Sequence, residues 1–339
     1  MNISYRTRQT LRRSFSIVAA VIGITLAALL CLLLWLQRFV VYTDHGVVLN
    51  FDRQTQGQAQ LPLQSQILPS VTIRYDDSPF LEGLQQLSGY YIPEEDLMKK
   101  SGKDLQDILD ALDQLPEGTP VMLDIKGYRG YFYYSTQVGD HTSGLYDMDK
   151  MDELLRYLAE SDLYVIARMS SLRDFVLVWD NSACGLTTTA GKLYTDQGDY
   201  GLGYWLDPSN NTVQNYLIDV LGELKAKGFD EVILQNFCFP DTEDLSFKED
   251  KTETLNQLAQ KLMSSCAGED FTISFSSEDP GFVLPEGRCR LYLENITPEN
   301  AQSAWEQTTM DEKRLNLVFI APGSDSRYNI ENGILVPLN

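Results

Sequence analysis

Histidine is nearly absent from this sequence, because only His45 and His141 occur among its 339 residues. This scarcity argues against a histidine-rich metal site. Cysteine is also rare, and none of the five cysteines belongs to a CxxC pair, which argues against a zinc site as well. The sequence further lacks a glycine-rich dinucleotide fingerprint after any predicted strand. We therefore expect neither a metal nor a cofactor.

Basic residues are also few relative to acidic residues. The chain has 27 lysines and arginines against 48 aspartates and glutamates, which gives a formal net charge of −21. Four of those arginines lie within the first fourteen residues, so the rest of the chain carries about −25. A strongly acidic surface repels nucleic acid and anionic lipid, so neither is expected as a ligand. By itself, the net negative charge indicates only that the protein surface is soluble.

Charged residues are missing altogether from the segment 15–36, FSIVAAVIGITLAALLCLLLWL. At about 1.5 Å per residue, this segment is long enough to span a bilayer core of about 30 Å. The tail that precedes it, 1–14, contains basic but no acidic residues, which places the tail in the cytoplasm. The alternative, a cleaved signal peptide, has a shorter apolar region of about 7–15 residues and a small-residue cleavage site. We therefore predict a single-pass anchor in the cell membrane, with everything after Arg38 extracytoplasmic.

Residues 37–80 have the composition of an extracytoplasmic stalk. Two short apolar runs flank Asp44-His45-Gly46, a pattern typical of a β-hairpin. A polar, glutamine-rich linker follows at 52–66. Beyond this stalk, residues 81–339 are predicted to form one domain.

Four cysteines lie beyond the anchor, namely Cys184, Cys238, Cys266 and Cys289. They allow two disulfides in three different pairings, and the sequence does not choose among these pairings. Buried free thiols are the default expectation for them, because unpaired cysteine behaves as a small hydrophobic residue.

Strands and helices alternate through the predicted domain. Apolar runs predict eight strands, at GYYIP, TPVMLDIKG, LYVIARMS, EVILQNF, DFTISFSS, RCRLYLEN, RLNLVFIAP and GILVPL. Apolar residues at helical spacing predict helices over 94–115, 149–159, 211–227, 251–265 and 298–308. This alternation predicts an α/β fold, a parallel (β/α)8 barrel of the TIM type. A doubly wound open sheet is the alternative, which the missing dinucleotide fingerprint weakens.

In a barrel of this kind, chemistry gathers at the C-terminal ends of the strands. The second strand ends with Asp124 and Lys126, which lie two residues apart and therefore on one face. They could neutralise each other as an ion pair or contact a ligand. The third strand ends with Arg168, a buried cation that needs an acidic partner, and Arg173 and Asp174 follow in the loop.

The later strands end on amides and on possible acids. Gln235 and Asn236 close the fourth strand, and they can donate and accept hydrogen bonds to hydroxyl groups. Alternatively, the two amides could satisfy each other within a filled barrel. Glu278 and Glu294 lie at or just beyond the ends of the fifth and sixth strands.

The segment 175–208 is dense in aromatic residues. Aromatic faces beside polar groups suit the apolar face and the hydroxyl rim of a sugar ring. Trp205 is the strongest candidate of this segment for such a contact, although a loop aromatic is more often packed. Asp207 precedes the helix that is predicted from Asn211, and it is expected to help start that helix.

Four segments carry a resemblance to a known family. DIKGYRG, YVIARMSSLRD, YWLDPSN and GFDEVILQNFCFP resemble, in this order, the putative glycosyl hydrolase domain family, over about residues 89–319. The resemblance implies a (β/α)8 barrel related to the α-amylase type, located at the cell surface, with a carbohydrate ligand. It also implies roles at the barrel mouth for Asp124, Lys126, Arg168, Arg173, Asp174, Trp205 and Asp207.

This sequence departs from the family pattern where acids are expected. The family's fourth strand typically reads like QFDYVRFP, so its aspartate falls on Gln235 and its arginine on Cys238. Ser276 stands where the fifth strand is expected to carry another aspartate. Glycoside hydrolysis ordinarily needs two carboxyl groups, and an amide neither titrates nor acts as a good nucleophile. We therefore predict a membrane-anchored domain that binds a polysaccharide or cell-wall glycan, with Gln235 and Asn236 as ligand-binding residues.

Two alternatives remain open at this stage. The chain could be an active glycoside hydrolase whose acids have moved to Glu278 and Glu294. A carboxyl separation of about 5–5.5 Å would then indicate retention of configuration, and about 6.5–9.5 Å inversion. The chain could instead be an envelope scaffold that binds a protein partner.

Overall fold

The computed structural model of the chain describes residues 40–43, 46–49, 84–139, 141–198, 201–285, 287–310, 312–328 and 330–338. The chain divides into two compact units, Met1–Gln66 and Ile67–Asn339. In the first unit, β1 (Val40–Thr43) pairs antiparallel with β2 (Gly46–Leu49), which confirms the predicted hairpin. The predicted anchor at 15–36 and most of the stalk lie outside the described residues. No helix within the described ranges has both the length and the hydropathy of a bilayer span.

Eight parallel strands of the second unit close into a barrel. They are β3 (Ser88–Tyr91), β4 (Pro120–Lys126), β5 (Tyr164–Ser170), β8 (Glu231–Gln235), β9 (Thr272–Ser277), β10 (Leu291–Leu293), β11 (Leu317–Ile320) and β12 (Gly333–Pro337). Each barrel strand pairs with the barrel strand that follows it in the sequence, and β12 pairs with β3 to close the ring. All eight predicted strands are confirmed, and the open-sheet alternative is wrong because the sheet has no free edge.

Helices and one further hairpin connect the barrel strands. The helices are α1 (Glu94–Leu97), α2 (Leu105–Leu112), α3 (Met148–Glu160), α4 (Phe175–Asp180), α5 (Asn211–Ala226), α6 (Lys251–Cys266), α7 (Ala301–Gln307) and α8 (Lys313–Asn316). Between α4 and α5, the loop contains an antiparallel hairpin of β6 (Thr195–Gly198) and β7 (Gly201–Tyr204). Helix α5 ends as predicted, because Gly228 follows it with a φ of +88°, a conformation that favours glycine.

The prediction of one continuous helix over 94–115 is wrong, because the chain turns between α1 and α2. In this turn, the backbone N–H of Gly102 donates to the carbonyl of Met98, and that of Lys103 donates to the carbonyl of Asp96. A Cβ at Gly102 would lie only 2.4 Å from both of those acceptor oxygens, so the turn requires glycine there.

The barrel lumen is filled in its middle layer by apolar side chains. They are Leu87, Met122, Ile166, Ile233, Tyr292, Val318 and Leu335, and all seven are buried. The residues between them in the strands face outward and pack against the helices in a separate core. The alternation of inward and outward residues explains why each strand reads as a continuous apolar run. The charged groups of the lumen therefore lie at its two ends.

A buried ion pair forms the floor of the lumen. Glu231, the first residue of β8, has no exposed area, and it pairs with the guanidinium of Arg290. The Tyr164 hydroxyl donates to the same carboxylate at 2.9 Å. Burial by itself would lower the pKa of Arg290, but Glu231 raises it, and the net shift is upward. This charge pair serves the structure at the N-terminal ends of the strands, away from the opposite end where barrel chemistry gathers.

Candidate functional site

The mouth of the barrel, formed by the C-terminal strand ends, is dominated by Arg168 and its carboxylate partners. Asp124 and Arg168 are directly opposed on neighbouring strands, and the contact is bidentate: Nε donates to Oδ1 at 2.6 Å and Nη2 to Oδ2 at 2.7 Å. The side chain of Arg168 is 18% exposed and that of Asp124 is 13% exposed. Burial alone would lower the pKa of Arg168, but Asp124 and then Glu294 raise it, so the guanidinium stays charged. The expectation that Arg168 needs an acidic partner is confirmed.

Glu294 connects Arg168 to the amide at the end of the fourth barrel strand. A carboxylate oxygen of Glu294 lies 3.5 Å from Nη1 of Arg168. The Gln235 side-chain amide donates to both Glu294 oxygens, at 2.8 and 2.7 Å. Asp124, Arg168, Glu294 and Gln235 therefore form one connected group, here called the mouth network. The second amide, Asn236, does not pair with Gln235, because its Oδ1 accepts from the Ser170 hydroxyl at 2.9 Å.

The backbone at Asn236 explains why the two amides diverge. Asn236 has a φ of +54°, the left-handed region that asparagine tolerates better than most residues. The strand therefore ends in a sharp turn at this residue. The turn sends the following segment, Phe237–Thr242, along the wall of a cavity beside the mouth network.

This mouth cavity has a volume of about 400 Å³ and opens beside the ends of β8, β9 and β10. Its polar lining includes Gln235, Asn236, Ser276, Ser277, Glu278 and Glu294, and its apolar lining includes Phe237, Phe239 and Phe282. Glu278 is exposed and accepts from the Asn295 amide at 2.7 Å. The cavity thus collects four of the sequence-predicted site residues: both amides and both candidate acids.

Asp124 and Lys126 do not share a face, so the prediction that they could pair is wrong. The strand register shifts between them, which is a β-bulge at Ile125. Lys126 leaves the lumen as a result, and its ammonium pairs with Asp174 at 2.8 Å and donates to the Ser170 carbonyl at 2.9 Å. Both side chains of this pair have no exposed area, so neither has a surface open to a ligand in this structure.

Asp174 has further partners that account for its burial. Its Oδ1 accepts from the backbone N–H of Leu177 at 2.8 Å and so caps the N-terminus of α4. Its other oxygen accepts from the Tyr216 hydroxyl at 3.2 Å, in addition to its contact with Lys126. The Lys126–Asp174 pair therefore anchors α4 to the barrel.

Arg173 and Trp205 meet at a third residue, Asp196 of the β6–β7 hairpin. Arg173 donates to Oδ1 of Asp196 at 2.9 Å, and the Trp205 indole N–H donates to Oδ2 at 2.9 Å. The guanidinium of Arg173 also lies 4.7 Å from the centre of the Tyr128 ring. Trp205 is only 7% exposed. The sugar platform predicted for Trp205 has no open face in this structure, because the indole is packed under the hairpin.

Asp207 has the local role that the sequence indicated. Its carboxylate accepts from the backbone N–H and the hydroxyl of Ser209, at 2.9 and 2.6 Å. This turn leads to Asn210, which caps α5 by accepting from the backbone N–H of Thr212 at 2.8 Å. Asp207 therefore helps to start the helix and lies outside the lining of the mouth cavity.

The four cysteines Cys184, Cys238, Cys266 and Cys289 are all free thiols, as expected by default. Three of them are buried, and Cys238 is partly buried and lines the mouth cavity. Burial raises the pKa of the Cys238 thiol to about 12, so it stays protonated at neutral pH and is a poor nucleophile.

Two acidic residues near the mouth were missed by sequence reasoning. Glu94 follows the first barrel strand and accepts hydrogen bonds from the hydroxyls of Tyr133 and Tyr146, whose rings stack at 3.9 Å. Glu94 lies three residues after the end of that first strand, so its position in the sequence does indicate a place at the mouth. Asp196, the acceptor for Arg173 and Trp205, lies in a loop hairpin and follows no strand of the barrel, so no pattern indicated it.

The fold and the mouth together define a closed parallel (β/α)8 barrel with a polar, cavity-lined mouth. Within this class, a family model described as the putative glycosyl hydrolase domain matches residues 89–269, more than half of the chain. The chain therefore belongs to this family, and the resemblance predicted from its sequence motifs is confirmed. No curated protein matches the chain.

Solved structures are similar to the chain at low sequence identity. A hypothetical protein from Ruminiclostridium thermocellum is 24% identical, with a TM-score of 0.45, over 55% of this chain and 96% of its own. An α-galactosidase from Thermus thermophilus is 13% identical, with a TM-score of 0.44, over 75% of this chain and 47% of its own. A chitobiase from Flavobacterium johnsoniae is 9% identical, with a TM-score of 0.46, over 74% and 44%. This chain spans about half the length of those two enzymes.

Proposed function

We propose that the mouth cavity binds a glycan and does not cleave it. The observation that carries this proposal is the contact between Gln235 and Glu294, in which an amide occupies both oxygens of the carboxylate. Glycoside hydrolysis ordinarily uses two carboxyl groups that face each other across the scissile bond. Here the partner of Glu294 is a group that can neither transfer a proton nor attack a sugar carbon.

The lining of the cavity supports a sugar as the ligand. Amide and hydroxyl groups of Asn236, Ser276 and Ser277 can exchange hydrogen bonds with sugar hydroxyls. The partly exposed Phe282 ring supplies the apolar surface that the faces of sugar rings prefer. The volume of about 400 Å³ lies within the range of about 300–1,000 Å³ that small-molecule sites occupy.

Isothermal titration of the full-length chain against cell-wall and storage polysaccharides tests this proposal. Asn236→Gly keeps the positive φ but removes the amide, so it should weaken binding by about tenfold, the cost of one lost hydrogen bond of roughly 1.4 kcal/mol. Asn300→Gly is the control, because it removes an exposed side-chain amide that lies outside the cavity lining. A folded chain that binds none of the polysaccharides would contradict the proposal.

A second candidate function rests on the two glutamates. Glu278 and Glu294 line the same cavity, so an active glycoside hydrolase with relocated acids is the alternative. In that case, the purified chain would release sugar from one of the polysaccharides, and both Glu278→Gln and Glu294→Gln would abolish the release. Turnover that survives both substitutions would rule out this pair of acids.

We also propose that the chain is held in the cell membrane by the segment 15–36, with the barrel outside the cytoplasm. The charge-free length of this segment and its basic flank support the proposal. The full-length chain should stay in the membrane fraction after an alkaline carbonate wash, and protease added to intact cells should degrade the barrel. Release of the chain by the wash would argue against an integral anchor.

A further inference from the structure

A stack of three aromatic rings lies beside the mouth, away from the cavity lining. The Phe175 ring stacks on the Tyr204 ring at 5.2 Å and 22°, and on the Trp179 ring at 5.7 Å and 18°. The guanidinium of Arg129 lies 5.6 Å from the centre of the Phe175 ring. The three rings are nearly parallel, so Trp179 is the outer member of a continuous stack.

Trp179 is 71% exposed, the highest value among the large hydrophobic residues of the described chain. An exposed indole on a mobile loop would be unremarkable, because single apolar residues are common on protein surfaces. This indole, however, is held by Phe175 in the same helix, α4. The helix is in turn fixed by the fully buried Lys126–Asp174 pair through its N-cap. The exposed ring is therefore preorganised, which lowers the entropic cost of binding a flat ligand.

An exposed polar pair follows Trp179 in the chain. Asp180, the next residue, pairs with the Nε2 of His141, and the two side chains are 49% and 41% exposed. A flat aromatic face beside exposed hydrogen-bonding groups suits a sugar ring, whose apolar face is bordered by hydroxyls. The loop 127–147, the helix α4 and the hairpin β6–β7 all follow the C-terminal ends of β4 or β5. The stack and the mouth cavity therefore lie at the same end of the barrel.

We propose that Trp179, supported by Phe175 and Tyr204, is a second glycan contact that binds a further ring of the polysaccharide bound in the mouth cavity. This inference rests on the proposed glycan-binding function. It identifies the ligand as a polymer longer than the cavity, because the platform and the cavity are lined by different loops.

A second copy of the chain is the competing occupant, and two observations disfavour it. Stable protein interfaces bury at least about 1,000 Å² in total, whereas the described chain exposes only three large hydrophobic residues, Leu145, Trp179 and Leu202. Two copies would also each carry a net charge of −21 and would repel each other.

The test compares Trp179→Ala, Trp179→Phe and Leu145→Ala in the full-length chain held in detergent micelles. Leu145→Ala is the matched control, because Leu145 is 65% exposed, also follows β4 at the same barrel end, and belongs to no ring stack. The probes are an insoluble polysaccharide to which the wild-type chain binds and a disaccharide cut from it. Binding is measured by co-sedimentation for the polymer and by titration for the disaccharide.

We expect Trp179→Ala to weaken binding of the polymer by about tenfold while leaving the affinity for the disaccharide unchanged. Trp179→Phe should restore most of the affinity for the polymer, and Leu145→Ala should change neither affinity.

Polymer binding by Trp179→Ala at the wild-type affinity would overturn the inference and leave the cavity proposal standing. If Trp179→Ala instead converts a dimer to a monomer in sedimentation velocity, the platform is a self-association surface and the inference is overturned. If polymer binding falls with Trp179→Ala but is unaffected by Asn236→Gly, the platform stands and the cavity proposal fails.

Discussion

At the residue scale, the side-chain amide of Gln235 lies 2.7–2.8 Å from the two oxygens of Glu294. The substitution Gln235→Glu would place a second carboxylate at that distance in a partly buried site. Like charges this close disfavour ionisation, so the pKa of the introduced carboxyl group should rise above its unfolded value. Because the folded-state pKa lies above the unfolded value of about 4.3, the loss of stability is largest above the folded-state pKa and is recovered as the pH falls from there to about 4.3.

We therefore predict that Gln235→Glu lowers the free energy of unfolding by about 1–3 kcal/mol at pH 7 and by much less at pH 4.5. Gln257→Glu is the matched control. Gln257 also donates its amide to a glutamate, Glu253, at 2.9 Å, but on the exposed surface of α6. Urea titrations of both variants at the two pH values measure the difference. An equal loss in the free energy of unfolding for both variants, at both pH values, would contradict the predicted charge repulsion between residue 235 and Glu294.

Cys289 gives a second prediction at the residue scale. Burial, and to a smaller extent the carboxylate of Glu231, raise the pKa of this thiol to about 12, although Arg290 opposes the shift. The unfolded thiol titrates near 8.5, so the stability due to the buried neutral thiol is complete below that pH and is lost as the pH rises towards 12. Between pH 8 and 10, the free energy of unfolding should fall by about 2 kcal/mol more in the wild type than in Cys289→Ala. Parallel pH dependences for the two proteins would contradict this.

At the scale of elements, the N-terminus of α4 depends on Asp174. Asp174→Ala removes a helix cap and leaves the fully buried ammonium of Lys126 without its carboxylate. We predict a loss of about 3–5 kcal/mol in the free energy of unfolding, together with weaker order of the helix that carries Trp179.

The control for this prediction is Asp250→Ala. Asp250 caps α6 by accepting from the backbone N–H of Glu253 at 2.9 Å, but it is exposed and has no buried cation as partner. Loss of this cap alone should cost about 1 kcal/mol. The free energy of unfolding of each variant is measured by urea titration. The difference between the two losses gives the contribution of the buried ion pair. If the two losses are equal, the Lys126–Asp174 contact contributes nothing beyond the cap.

The strands were predictable because a buried parallel strand reads as an apolar run, and each run here ends at a turn residue or a polar residue. The helix boundaries were predictable where capping residues mark them, as at Gly228. The split between α1 and α2 was missed because its apolar residues keep helical spacing across the turn. The strand-end rule placed Asp124, Arg168, Gln235 and Glu294 at the mouth.

The partners of these residues could not be predicted, because they come from different strands and loops. Lys126 lies two residues after Asp124 yet binds Asp174, 48 positions later, since a bulge intervenes. Trp205 was a candidate for sugar contact or for packing, and its indole N–H donates to Asp196 of a hairpin that no periodic pattern indicates. Contacts between residues so far apart in the sequence are set by the three-dimensional fold, so the sequence alone does not predict them.

At the scale of the whole molecule, the charge of −21 extends into the mouth cavity. Four carboxylates, Asp241, Glu278, Asp279 and Glu294, line the cavity, and Lys251 is the one basic residue among its described lining. We predict that a neutral glycan binds at least about tenfold more tightly than a uronic-acid polymer of the same linkage. This difference in affinity should narrow as the salt concentration rises towards about 0.5 M, because screening weakens the repulsion between the cavity carboxylates and the acidic polymer.

Titration calorimetry at low and high salt measures this preference. Lys251→Gln serves as the internal check, because it removes the one described lining cation and should weaken binding of the uronic-acid polymer further, with little effect on the neutral glycan. Tighter binding of the acidic polymer at low salt would contradict the assignment of the cavity charge.

The bulge at Ile125 has a consequence for how relatives of this chain should be compared. In a regular strand, residue 126 would share the face of Asp124, and the lysine ammonium would point inward beside Asp124 and Arg168. The number of cations facing the mouth is thus set by a backbone irregularity at a single position. A homologue with the same letters in this strand but without the bulge would carry one more cation at the mouth, and an alignment of the two sequences would show no difference there.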